Sequence, residues 1–175
     1  MSCDVCELLK GKKIFEDSKV AAVLAPKPAQ FGHLLLFPKE HHTILEQIPD
    51  FEIEHLGIVA NKLSVALFDS MKIQGTNIVV QNGVDGGQQV PHCIMHIIPR
   101  MENDGLDLTW QPRQLSEEEM STIELKLKEH TDKIGDFELE KQLPINLDYK
   151  EKIKAASEVK EAKEDYLVRQ LRRIP

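Results

Sequence analysis

No stretch of this 175-residue chain approaches the roughly 18 consecutive apolar residues that span a bilayer, so no transmembrane helix is expected. The sequence also lacks a basic excess. Its 22 Lys and Arg face 29 Asp and Glu, and the net charge is −7. That balance argues against general affinity for a nucleic-acid backbone or an acidic membrane. A basic cluster near the end, Arg169, Arg172 and Arg173, reads as the solvated face of a helix. The opening run Met1-Ser2-Cys3-Asp4-Val5-Cys6 is not a signal peptide, and a cytoplasmic location is expected. Cysteine is scarce, with three residues. In a reducing compartment, the pair Cys3-x-x-Cys6 points to metal or redox chemistry before a structural disulfide. There is no internal repeat and no low-complexity tract.

What is present reads as a mixed α and β domain with an extension. Val20–Leu24 and His33–Phe37 are short apolar strands separated by a loop marked by Pro26, Pro28 and Gly32. Asp50 is placed to cap a helix over residues 51–69, with Leu56, Val59, Leu63 and Ala66/Leu67 as its buried stripe. Strands over 77–81 and 92–98, joined by the Gly-rich segment Asn82-Gly83-Val84-Asp85-Gly86-Gly87-Gln88, should be antiparallel neighbours. Ser116-Glu117-Glu118-Glu119 is a capping box that starts a helix running to about Lys133, closed by Gly135-Asp136. Leu143-Pro144-Ile145-Asn146 reads as a linker. The Lys-, Glu- and Ala-rich stretch 148–173 then carries apolar residues at helical spacing and should dock on the core or on a second subunit. The expected division is a domain over 1–112, a helix packed on it over 113–135, and a linker with an amphipathic helix over 136–175.

Cys3 and Cys6 have the spacing of one half of a tetrahedral zinc site. A thiol redox pair competes, but such pairs open a helix after a strand; two ordinary cysteines near a terminus are the plain alternative. Two further ligands must come from His33, His41, His42, His55, His92, His96 and His130. His41 follows a strand end at Pro38-Lys39, and His92 opens a strand. His55 and His130 sit on helices among charged residues and are expected to be exposed.

The run Pro91-His92-Cys93-Ile94-Met95-His96-Ile97-Ile98 places His92, Ile94 and His96 on one strand face, because residues two apart point the same way. It resembles the histidine triad (HIT) signature, H-x-H-x-H followed by two hydrophobic residues. Phe15-Glu16-Asp17, Gly32-His33-Leu34-Leu35-Leu36-Phe37-Pro38-Lys39-Glu40-His41 and Gln81-Asn82-Gly83 through Gly87-Gln88 occur in the family's order and spacing. Trp110 is similar to microbial members, and Gln81 to the dinucleoside polyphosphate hydrolase branch.

The resemblance implies an α+β meander of about five antiparallel strands, paired as a homodimer, that binds a purine nucleotide or dinucleoside polyphosphate. It assigns His96 to the phosphate, Gln88 to the α-phosphate, and Gln81, Asn82 and Gly87 to the nucleotide-binding loop. His92 orients the attacking group and, in zinc-bearing members, ligates metal. Related uridylyltransferases imply a structural zinc on Cys3, Cys6, His41 and His92. Two positions depart from the pattern. The family's nucleophilic middle histidine falls on Ile94, and its ribose-binding acidic residue falls on Ala25.

Ile94 can neither attack phosphorus nor carry a proton. Cys93 and Met95 point to the opposite face. His96 lies about 6–7 Å along the strand from position 94. Three functions stay open: a nucleotide-binding protein with impaired or absent hydrolysis, an active nucleotide hydrolase or nucleotidyl transferase with another nucleophile, and a zinc-stabilised interaction module.

Overall fold

Leu34, Leu35, Leu36 and Phe37 are all buried, on both faces of one central strand, and the rest of the molecule is arranged around them. The computed structural model describes residues 3–131 and 134–138. A short helix α1 (Asp4–Leu8) leads into strands β1 (Phe15–Glu16), β2 (Val20–Leu24) and β3 (Leu34–Pro38). After a 3-10 turn at Leu45–Gln47 come helix α2 (Asp50–Met71), strands β4 (Gly75–Val80) and β5 (Met95–Arg100), and helix α3 (Glu117–Lys128). The five strands form one sheet in the order β1-β2-β3-β5-β4, antiparallel throughout. This is the expected α+β meander, with β4 and β5 paired as neighbours.

Alternation divides the sheet into two apolar faces. Ala22, Leu34, Leu36 and Ile97 pack on α2 through Leu56, Val59, Ala60, Leu63 and Leu67. Each Leu, Ile or Val among them contributes about 1.5–3 kcal/mol by leaving water. Ala21, Val23, Leu35 and Phe37 form the other face, against Val5 of α1, with Ile94, Val90 and Ala25 packed alongside. The stripe predicted for α2 is the stripe observed, except that Ala66 is exposed.

Several boundaries move. Pro49, not Asp50, is the N-cap of α2, and it makes no side-chain cap. Asp50 is the first helical residue, and its carboxylate accepts from the Glu138 N–H at 2.8 Å. Strand β5 begins at Met95 rather than at His92, because His92 and Ile94 precede the hydrogen-bonded ladder. The capping box forms as read: Ser116 Oγ accepts from the Glu119 N–H at 3.2 Å and the Glu119 carboxylate accepts from the Ser116 N–H at 2.8 Å. Helix α3 ends at Lys128, and none of its residues is buried, Met120, Ile123 and Leu127 included. It is held by its cap and by local pairs such as Lys128–Glu124 rather than by packing. The predicted linker at 143–146 and the helix over 148–173 lie outside the described residues. No helix among the described residues is long and apolar enough to cross a membrane.

Candidate functional site

A cleft of about 330 Å³ opens on the sheet face turned away from α2. His92, Ile94 and His96 all line it, together with Leu35, which pairs with His96 across β3 and β5. The one-face alternation read from the sequence thus holds even though the ladder starts at Met95. Cys93 and Met95 go to the α2 side. Ile94 is half-buried between the two imidazoles, and Ala25 lies on the same cleft.

The two histidines face different chemistry. His92 is buried, and its Nε2–H donates to the Pro38 carbonyl at 3.0 Å. This fixes the tautomer and leaves Nδ1 bare towards sulfur, 3.5 Å from Cys3 Sγ and 3.6 Å from Cys6 Sγ. His41 Nδ1 is 3.7 Å from Cys6 Sγ. The donor atoms of Cys3, Cys6, His41 and His92 all lie within 4.8 Å of one another. Burial, opposed by the Pro38 bond and reinforced by His41 and His42, holds the His92 imidazole below its ordinary pKa and therefore neutral. Burial and the adjoining Cys3 push the Cys6 thiol up. Two thiols and two imidazoles, one with a backbone carbonyl behind it, fit a borderline-soft metal ion in tetrahedral coordination.

At the other end, the Ala29 N–H donates to His33 Nδ1 at 3.0 Å, which leaves the His33 proton on Nε2. His33 Nε2 lies 3.1 Å from His96 Nδ1 and donates to it, so a neutral His96 carries its own proton on Nε2. The relay ends in an N–H donor on a cleft-lining ring, suited to an anionic oxygen. Burial lowers the pKa of both rings, and for His33 the neighbouring His96 adds to it. In the sequence His33 stands only as a candidate metal ligand and as part of the run Gly32–His41. Its role behind His96 follows from β3 pairing with β5, which spacing alone does not reveal.

The Gly-rich loop bonds largely to itself and to its neighbours. Gln88 lines the cleft, but its Oε1 accepts from the Gly83 N–H at 2.8 Å, and its Nε2 donates to the carbonyls of Thr43 at 2.7 Å and Val90 at 2.8 Å. Asn82 Oδ1 accepts from the Leu45 N–H at 3.0 Å, and its amide donates to Glu46. The N–H groups of Gly86 and Gln88 both donate to the Gly83 carbonyl, and that of Gly87 to Val84. Gly83 and Gly87 have φ of +77° and +87°, and a Cβ on Gly86 would sit 2.4 Å from the Asn82 carbonyl oxygen. These glycines serve the turn itself. Gln81 and Gln88 border the cleft, whereas Asn82 and Gly87 do not. Lys27, which the sequence reading passed over, also borders it. His55, expected to be exposed, is half-buried and bonded to Asp17 at 2.6 Å.

The HIT domain family model matches residues 8–103, just over half of the chain. The chain belongs to the HIT domain family. It is 37% identical over 107 residues to an uncharacterised HIT-like protein of Methanocaldococcus jannaschii, covering 59% of this chain and 82% of that one. It is 29% identical to the adenosine 5′-monophosphoramidase HNT1 of Candida albicans, covering 79% of this chain and 97% of that one. Among solved structures, a HIT family member from Bacillus subtilis aligns with a TM-score of 0.69 at 28% identity, over 74% of this chain and 97% of that one. A zinc-bound histidine triad protein of Mycobacterium smegmatis aligns with a TM-score of 0.57 at 26% identity, over 74% and 95%. Cys3 and Cys6 precede the matched span, so the candidate metal cluster combines residues of the family domain with two from the segment before it.

Proposed function

We propose that this HIT protein binds a purine nucleotide or dinucleoside polyphosphate in the cleft without cleaving it by covalent attack. The observation that carries this reading is Ile94. Its side chain lines the cleft between His92 and His96, where the resemblance puts the family's nucleophile, and it has no lone pair or proton to offer. Burial, with Glu46 adding to it, pushes the neighbouring Cys93 thiol up to about 11, and Cys93 packs on the α2 side. A protonated thiol on the wrong face is no substitute. His96 accepts on Nδ1 from His33 and so meets a ligand as a donor, a binding role rather than an attacking one. The phosphoramidase name of the Candida relative supports the nucleotide class.

Ala25 replaces a charged ribose contact and should weaken binding by about 1.5–3 kcal/mol, one to two decades of affinity. Zinc on Cys3, Cys6, His41 and His92 would fill a closed set of four protein ligands, leaving no open position for a reacting water. The metal would tie α1, which borders the cleft through Val5 and Leu8, to the segment that opens the triad run. Strand β4 is at the sheet edge, and a second copy pairing there would give the homodimer that the resemblance implies, in the cytoplasm.

The test is Ile94→His, assayed with adenosine phosphoramidates and dinucleotides. Turnover should rise by several orders of magnitude over the natural chain, because a covalent nucleophile is commonly worth that much. Equal turnover by both proteins would overturn the reading. A second reading, an interaction module stapled by zinc, is favoured by the exposed Met120, Ile123 and Leu127 of α3. Under it, deleting residues 113–175 should abolish partner binding while the cleft still binds nucleotide.

A further inference from the structure

Next to the Cys/His cluster lies a second convergence of donors that neither the cleft nor that cluster uses. Glu40, His42 and Glu52 bring one donor atom each to within 4.8 Å of one another. Glu52 is 6% exposed, yet its carboxylate makes no hydrogen bond or ion pair with any described residue. The His42 Nε2 is buried and is also without a hydrogen-bond partner. An unpaired ring nitrogen is costly where water cannot reach it, and the Glu52 carboxylate keeps only a narrow contact with solvent and no partner among the described residues. Here both occur together, and a second carboxylate joins them although like charges repel. The three groups converge, but none closes on another to hydrogen-bonding distance.

We propose that Glu40, His42 and Glu52 form a second metal site, for a divalent transition-metal ion that favours oxygen and nitrogen ligands. Three atoms mutually within 4.8 Å have a common centre at most about 2.8 Å from each. Metal–ligand bonds from carboxylate and imidazole run about 2.0–2.2 Å, so the three side chains need to draw in by about half an ångström or slightly more. The donor set separates this site from its neighbour. Two carboxylates and one imidazole suit Mn²⁺, Fe²⁺ or Zn²⁺, whereas two thiolates favour softer ions. The imidazole argues against Mg²⁺ and Ca²⁺, which take oxygen. Three protein ligands, with Glu40 exposed, leave positions for water. The alternative role for Glu52 is to complement the positive end of α2 from its first turn. An exposed acid would do that equally well, and that role leaves the unpaired His42 Nε2 without a purpose.

The two sites share backbone. His41 and His42 are consecutive, one in each donor set, and the Cys93 N–H donates to the His42 carbonyl at 2.7 Å, beside His92. An ion on Glu40, His42 and Glu52 would therefore brace the segment that delivers His41.

Mn²⁺ is the probe, because it competes poorly for thiolate sites. Titration of the full chain, followed by loss of the free Mn²⁺ electron paramagnetic resonance signal, should show one ion bound per chain. Losing even an outer-shell partner costs a metal site 10–100-fold, so Glu52→Gln, His42→Ala and Glu40→Gln should each weaken binding by at least about tenfold. Melting of the metal-free proteins separates an ion site from a structural acid. Glu52→Gln keeps the size and shape of a side chain that makes no hydrogen bond, so it should melt no lower than the natural chain, with Mn²⁺ raising the melting temperature of the natural chain alone. Glu40→Gln alters an exposed side chain and leaves the core intact, so it decides the matter if the other variants fold poorly. Absence of a bound Mn²⁺, or Mn²⁺ binding unchanged in Glu40→Gln and Glu52→Gln, would overturn the assignment.

Discussion

His92 and His96 are four residues apart on one cleft, and their surroundings are opposite. His92 has its outer nitrogen tied to a backbone carbonyl and its inner nitrogen bare among sulfurs, as a metal ligand requires. His96 has its inner nitrogen filled by a neighbouring imidazole and its proton on the outer one, as an anion-binding donor requires. Between them, Ile94 contributes only apolar surface. One end of the run turns a bare nitrogen to the thiols of the N-terminal segment and the other turns an N–H donor to the cleft; under the proposed function, Ile94 between them stands where the attacking atom would be.

The largest effect should come from breaking the His92 end. Stripping metal with a chelator, or replacing Cys6 with Ser, removes a ligand that binds only the folded chain. At a thousandfold excess over Kd such a ligand is worth about 4 kcal/mol, and the melting temperature should fall by on the order of 10 °C. Elemental analysis of the same samples should show the matching loss of one zinc per chain. At the His96 end, His96→Ala should leave metal content unchanged and weaken AMP binding by one to two decades, read by calorimetry. Equal effects of Cys6→Ser and His96→Ala on both readouts would erase the distinction between the two ends.

Acid should act on the His96 end in a defined direction. The folded pKa values of His33 and His96 lie below the ordinary imidazole value, so the unfolded chain binds more protons in the interval between. Stability is therefore full above about pH 6.5 and falls as the pH drops through the folded values. Thermal melts from pH 8 to pH 5 should show that decline, and His96→Gln should flatten it.

Much of this was legible in the residues. The alternation of His92, Ile94 and His96, the Cys3-x-x-Cys6 spacing and the capping box at Ser116 are local patterns, and local patterns survive folding; the pairing of those cysteines with His41 and His92 comes from the resemblance alone. The His33–His96 relay, the Asp17–His55 bond and the Glu40–His42–Glu52 convergence depend on which strands and helices meet, and a linear reading does not contain that. The bonding inside the Gly-rich loop was not legible either. Such a segment looks the same whether its N–H groups are free for a ligand or, as here, donate to oxygens of the loop itself. The buried stripe of α2 could be read from its period, but nothing in the period of α3 reveals that its apolar residues stay exposed.

The smallest effect belongs to α3. Ser116→Ala removes a cap worth about 0.5–2 kcal/mol. Because no residue of that helix is buried, hydrogen exchange should quicken across residues 117–128 while the global melting temperature stays where it was.

The most direct measurement is native mass spectrometry of the natural chain after prolonged incubation with a diadenosine polyphosphate. The expected spectrum shows one intact ligand per chain, with no covalent nucleotidyl adduct and no mononucleotide product. A covalent adduct, accumulated product, or an entirely ligand-free chain at saturating concentration would contradict a cleft that holds a nucleotide but cannot attack it.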